Sequence, residues 1–139
     1  MLRVVLVVHI QELRSYMREK MIEQKLCAAV RKSGGIAMKL VSPGLAGVPD
    51  RLLLFPGGKI AFCEVKAPGQ KPRPLQEHRI AQLRALGFKV YVVDSVDQIQ
   101  LLLIDLFSKE SAAEGVQGAI GKPPGIPEAE RKLYEICST

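Results

Sequence analysis

The chain has no tryptophan, and aromatic residues fill only 5% of its 139 positions. That scarcity argues against a base-stacking platform of the kind that grips single strands. The three cysteines, Cys27, Cys63 and Cys137, are scattered and form no Cys-x-x-Cys pair. They read as free thiols in a reducing cytosol, which argues against a disulfide frame or a zinc site. No apolar run is long enough to cross a bilayer, so no membrane partner is expected. The opening "MLRVVLVVHI" soon gives way to "QELRSYMREK" without a small-residue cleavage site, unlike a signal peptide. Residues 1–16 read as an extra strand or as an extension upstream of the compact domain, and the sequence leaves both open. There is no internal repeat.

What is present suits one modest domain with a real core. Hydrophobic residues make up 47% and charged residues 24%, ordinary values for a soluble globular protein. Twenty Lys plus Arg against 14 Asp plus Glu give a formal charge of +6. This excess mildly favours a polyanionic partner.

From Met17 to Lys32 apolar residues recur at three- and four-residue intervals, and Gly34 and Gly35 stop the run, which predicts a helix. "IAMKLV" reads as a short strand and "SPGLAGVP" as a loop. "DRLLLF" and "KIAFCEVK" form a hairpin about Gly57 and Gly58. A basic loop, "APGQKPR", leads to Pro74, which suits the first turn of a helix running to about Leu86; Gly87 ends it. "FKVYVVD" is a strand expected to be buried on both faces. Ser95 or Asp94 caps a last helix through Phe107, whose apolar stripe marks it as core or interface. Residues 108–139 read as a linker and a short helix. The order is helix, three strands, helix, strand, helix: an α/β fold with a mixed sheet flanked by helices.

The chemistry concentrates in "GVPDRLLLFPGGKIAFCEVK", residues 47–66. Asp50 and Glu64 stand at the same end of the hairpin. An odd-length turn, or a bulge, puts Asp50 on the same face as Glu64 or Lys66, whereas a two-residue turn puts the acids on opposite faces. Two converging carboxylates repel unless one takes up a proton or a cation sits between them. Hard oxygen donors without His or Cys select Mg²⁺ or Mn²⁺. Lys66 points to the same face as Glu64 and is placed to orient a water or offset charge building on a phosphorane. Taken singly, Asp50 reads as a turn residue, and Glu64 with Lys66 as a solvated ion pair. Cys63 points the other way and is assigned to the core. His78, alone on an exposed helix face, is incidental.

The ordered set of "GVPD", "EVK" and the Gln of "PLQ" resembles the VRR-NUC family of restriction-endonuclease-like PD-(D/E)xK nucleases, over roughly Met17 to Val96. The resemblance implies a restriction-endonuclease-like core in α-β-β-β-α-β order, spanning 17–107. It implies Asp50 and Glu64 as ligands of Mg²⁺ or Mn²⁺, Lys66 and Gln76 as further catalytic residues, and Glu23 as the first-helix acid, with Glu19 one turn earlier as its rival. Lys71 and Arg73 flank the site and are expected to touch DNA phosphates; Lys39 is a weaker candidate. The implied function is a metal-dependent DNA endonuclease in the cytoplasm of a bacterial or phage-infected cell, leaving a 5′-phosphate and a 3′-hydroxyl. The implied substrate is branched DNA such as a four-way junction. Symmetric junction cleavage needs two sites, hence an expected homodimer, with the final helix as a candidate interface. The rivals are a non-catalytic DNA-docking or assembly module on the same fold and a site-specific restriction nuclease.

Overall fold

A computed structural model describes residues 1–108, so the linker and C-terminal helix expected over 108–139 lie, but for Ser108, outside the described residues. The chain opens with one 31-residue helix, α1 (Leu2–Lys32). The extra-strand reading of the opening segment is thereby corrected. Valine-rich residues 4–8 favour a strand only where a sheet edge can pair with them. Here no Gly or Pro interrupts the chain before Ser33, and extending an existing helix is far easier than nucleating a new element. The helix therefore runs straight through positions 16 and 17.

Four strands follow: β1 (Ile36–Lys39), β2 (Arg51–Phe55), β3 (Lys59–Val65) and β4 (Lys89–Val93). They form one sheet in the order β1-β2-β3-β4. The first three pair antiparallel and β4 joins β3 in parallel, through the crossover helix α2 (Pro74–Ala85). Helix α3 (Val96–Phe107) closes the fold. Strand alternation assigns the two faces. Leu53, Phe55, Ala61, Cys63, Val65 and Val93 point to one side and make the core with Ile22, Leu26 and Val30 of α1 and Ile99, Leu102 and Leu106 of α3. Phe55 meets Phe107 edge-on at 5.2 Å, fastening α3 to the sheet. The other face, carrying Phe62, Glu64 and Val90, lies toward α2, whose Ile80 is buried. Ser95 stands at the N-cap of α3, as expected, but makes no side-chain cap bond. Gln98 reaches back instead to accept the Asp94 N–H at 2.8 Å, and the Asp94 carboxylate accepts the Gly69 N–H at 3.3 Å.

Two backbone details place the site. Phe55 pairs with Lys59, so Pro56–Gly58 is a three-residue connection, with Gly57 and Gly58 at φ 80° and 74°. An odd loop keeps residues 50 and 64 on one face. Gly47, at φ 81°, lies under the start of α2: a Cβ there would sit 2.8 Å from Leu75 Cγ and 2.9 Å from its carbonyl oxygen. Glycine thus lets α2 close onto the loop that delivers Pro49, itself fully buried, and then Asp50. Gly47→Ala is expected to cost about 1–3 kcal/mol through its left-handed backbone, read by urea or thermal unfolding. Gly44→Ala, in the same loop with nothing within 4 Å of its Cβ, is expected to change stability by less than about 0.5 kcal/mol. Equal melting of the two variants would refute this account of the loop.

Candidate active site

Asp50 immediately precedes β2, and Glu64 is the penultimate residue of β3. Because Arg51 pairs with Cys63, the next step along the ladder sets Asp50 against Glu64. Their bonds are reciprocal. The Asp50 N–H donates to Glu64 Oε2 at 3.1 Å, and the Val65 N–H donates to Asp50 Oδ1 at 3.3 Å. Each carboxylate thus reaches across to the other strand, so the two acids share one small volume at the end of the sheet.

Glu64 is only 3% exposed. A buried carboxylate requires compensation, and two side chains supply it at Oε1. Lys66 Nζ approaches to 2.8 Å and Gln76 Nε2 donates at 2.6 Å. Gln76 is held at its other end as well, since its Oε1 accepts the Arg73 N–H at 2.9 Å. One side chain therefore both caps α2 and ties that helix to Glu64. Among the described residues no such cation lies at bonding distance from Asp50. Burial, followed by the charge of Glu64, pushes its carboxyl up to about 6, with the Val65 N–H only partly opposing the rise.

The first-helix acids separate. Glu23, expected as a metal ligand, is ion-paired with Arg51 on the α1 side of the sheet. Arg51 alternates with Asp50 along the strand and so faces the other way. Glu19, the rival, is the α1 acid whose charge contributes to raising Asp50. Lys39 pairs with Arg51 across β1 and β2 and shares its face, away from the Asp50–Glu64 side. Lys71 and Arg73 are exposed in the loop before α2, His78 is exposed on α2, and Cys63 lies fully in the core. The sequence reading missed Arg51, a buried guanidinium whose Nε lacks a partner. Its one signal is a charge at the head of the apolar run "RLLLF".

Among the described residues no three His, Cys, Asp or Glu side chains converge as a fully protein-ligated ion site. A two-carboxylate set still suits Mg²⁺ or Mn²⁺, which is commonly held by one or two carboxylates with water and substrate phosphate in the remaining positions. The donors are hard oxygens, and the raised Asp50 carboxyl marks negative charge that a divalent cation would offset.

The profile of the VRR-NUC domain family matches residues 3–97 of this sequence. The chain is 56% identical over 85 residues to "Putative nuclease p44" of Acyrthosiphon pisum secondary endosymbiont phage 1, covering 61% of this chain and 91% of that protein. A solved structure described as a VRR_NUC domain superposes with a TM-score of 0.59 at 32% identity, over 62% of this chain and 94% of its own. Among the described residues no helix is long and apolar enough to cross a membrane.

The raised Asp50 carboxyl has a consequence for stability. Its folded value of about 6 exceeds the ordinary 3.8, so between these values the native state binds more protons than the unfolded chain, and stability falls as pH rises. Asp50→Asn is therefore expected to raise the melting temperature at pH 7.5. That gain should shrink as pH falls through 6 and vanish near pH 4. A pH-independent effect of the substitution in thermal melts would contradict the electrostatic account.

Proposed function

We propose, from the premise that the chain belongs to the VRR-NUC domain family, that it is a metal-dependent DNA endonuclease whose site is the Asp50–Glu64 pair with Lys66 and Gln76. One observation carries the reading: both acids occupy one face of the hairpin and exchange bonds across it, with an ammonium and an amide already on Glu64.

Asp50 and Glu64 would hold Mg²⁺ or Mn²⁺, with Glu19 adding negative potential from α1. When bound, such an ion supplies Lewis-acid polarisation of a phosphoryl oxygen and acidification of a water. The protein's own groups do the positioning. Lys66 Nζ, 2.8 Å from Glu64 Oε1, keeps protonated donors beside the acid pair, where they can orient a water or stabilise charge on a phosphorane. Gln76 fixes Glu64 from α2 and leaves that helix's N-terminal N–H groups near the site, a favourable setting for an anion. The products are a 5′-phosphate and a 3′-hydroxyl.

The preferred substrate is branched DNA, cut by a homodimer that brings two sites to one junction. Apolar surface is available for such pairing. Leu101 and Ile104 of α3 are more than 60% exposed, and Ile10, Leu13, Met17 and Met21 line the outer side of α1. Isolated apolar residues are ordinary on surfaces, but a continuous helical stripe of this length marks an interaction face.

Cleavage of flap, fork and four-way-junction DNAs, faster than that of linear duplex, is expected in Mg²⁺ or Mn²⁺ and is expected to stop with EDTA. Asp50→Ala and Lys66→Ala should each lower the cleavage rate by at least about 10²-fold, the scale of losing one electrostatic contributor, with DNA binding by Asp50→Ala kept or improved. Intact DNA across the whole panel in both metals would remove the enzyme reading and leave a docking module. Separately, light scattering is expected to give a dimer mass at micromolar concentration, reduced to monomer by Leu101→Glu with Ile104→Glu or by Leu13→Glu with Met17→Glu. A monomeric wild-type protein at tens of micromolar would exclude the dimer.

A further inference from the structure

Helix α1 is much longer than the sheet it covers. At 1.5 Å per residue its 31 residues span about 46 Å, whereas seven-residue β3 spans about 23 Å. Its C-terminal end leads into β1, and β1 runs antiparallel to β2, with the Leu40 N–H donating to the Asp50 carbonyl oxygen at 2.7 Å. The upstream half of α1 must therefore overhang the sheet edge that carries Asp50, Val65 and Lys66.

The stripe that faces the sheet changes character at that edge. Val30, Leu26 and Ile22 are buried and apolar. One turn further the same side becomes Glu19 and Ser15, both half-buried, then Gln11. Gln11, Arg14, Ser15 and Arg18 form one wall of a cleft of about 290 Å³, and the Ala67–Gln70 loop, which directly follows Lys66, forms the other.

That second wall is fixed in shape. The Gln70 N–H donates to the Ala67 carbonyl oxygen at 2.9 Å, with Pro68 and Gly69 between them and Gly69 at φ 78°, the pattern of a type II turn. The Gly69 N–H is held by Asp94 at 3.3 Å. Opposite it, Arg14 and Arg18 are i,i+4 neighbours, a like-charge arrangement that disfavours the helix unless an anion lies nearby. Among the described residues the ion pairs are Glu23–Arg51, Glu64–Lys66 and Lys89–Asp105; neither Arg14 nor Arg18 takes part.

We propose that this cleft is a phosphate-binding subsite in which Arg14 and Arg18 grip the nucleic-acid backbone next to the scissile phosphodiester. The subsite's place beside a scissile bond rests on the proposed nuclease function. Its chemistry is that of two guanidiniums, a hydroxyl and an amide facing a preformed turn, which suits phosphodiester oxygens. A strand held there passes from α1 over the turn to Lys66, so the subsite adds binding along the backbone without touching the reacting phosphate. It also gives the overhanging part of α1 a task in substrate binding.

The test uses the full chain and a fluorescein-labelled four-way junction, with affinity measured by anisotropy from 50 to 200 mM salt in the Asp50→Asn background. Arg14→Ala with Arg18→Ala is expected to flatten the slope of log affinity against log salt by about 2, near 0.9 for each lost phosphate contact. In the cleavage-competent chain the same pair should raise KM roughly tenfold with kcat nearly unchanged, since the contact is made equally in ground and transition states. The control is Arg31→Ala with Lys32→Ala, which removes the same charge about 20 Å along the helix from Arg18 and should leave both slope and KM as they were. An unchanged slope in the Arg14/Arg18 variant, or an equal change in both variants, would overturn the subsite. Thermal melting of each variant checks that the fold is kept. If the wild-type chain cuts nothing, the nuclease reading fails, and the salt slopes still decide whether the cleft holds phosphate.

Discussion

The site depends on a forced meeting of two like charges. Three residues connect β2 to β3, and that odd number sets Asp50 and Glu64 on the same face at the same level. Neither acid is free to turn away. Each is tied by a backbone N–H on the opposite strand, so the hairpin ladder itself holds the carboxylates together. The cost falls on Asp50, which sits in a desolvated place beside a charged neighbour and is the acid whose protonation shifts.

Around that pair the structure assigns each side chain one task. Lys66 and Gln76 both act on Glu64 Oε1, one from the end of β3 and one from α2. Gln76 reaches Glu64 only if α2 begins at the right height, and Gly47 permits this by leaving room for Leu75. Arg51 and Glu23 form a second ion pair on the reverse face, adjacent in sequence to the acid pair and directed away from it. Charges of both signs thus crowd one end of the sheet, sorted by strand alternation into the side of the Asp50–Glu64 pair and the side of the Arg51–Glu23 pair.

Much of this was legible in the sequence because it depends on local rules. Punctuation by Gly and Pro located every strand and the helices α2 and α3, and the spacing of Asp50, Glu64, Lys66 and Gln76 anticipated residues that the fold indeed brings together. The parity of the Pro56–Gly58 turn was not legible, since two positive-φ glycines fit a two-residue turn as well as a three-residue one. Residues 1–16 left a strand and an upstream extension both open, because their valines carry a local preference for strand; the continuous helix α1 excludes the strand. The partner of Glu23 was hidden too. An acid on a helix is compatible with many neighbours, and only the register of β2 shows that Arg51 lies beneath it. Ser95 keeps the N-cap position of α3 without a side-chain bond, and the Asp94 carboxylate serves Gly69 instead, a contact 25 residues away in sequence that local pattern does not reveal.

The two faces of the sheet also divide stability from chemistry. The apolar core lies between the sheet and α1 with α3, and it includes Cys63 and Val65, the immediate neighbours of Glu64. Alternation sends those neighbours inward and Glu64 outward, so the acid is buried beneath Lys66 and Gln76 without belonging to the core. Replacing Glu64 or Lys66 therefore leaves the packing of Leu26, Leu53 and Ile99 untouched, whereas replacing Val65 would disturb both. A hairpin is well suited to this arrangement, because consecutive residues can serve opposite sides at no cost in chain length. It follows that the chemistry of this face can change by single substitutions while the fold persists, provided that the turn keeps its odd length.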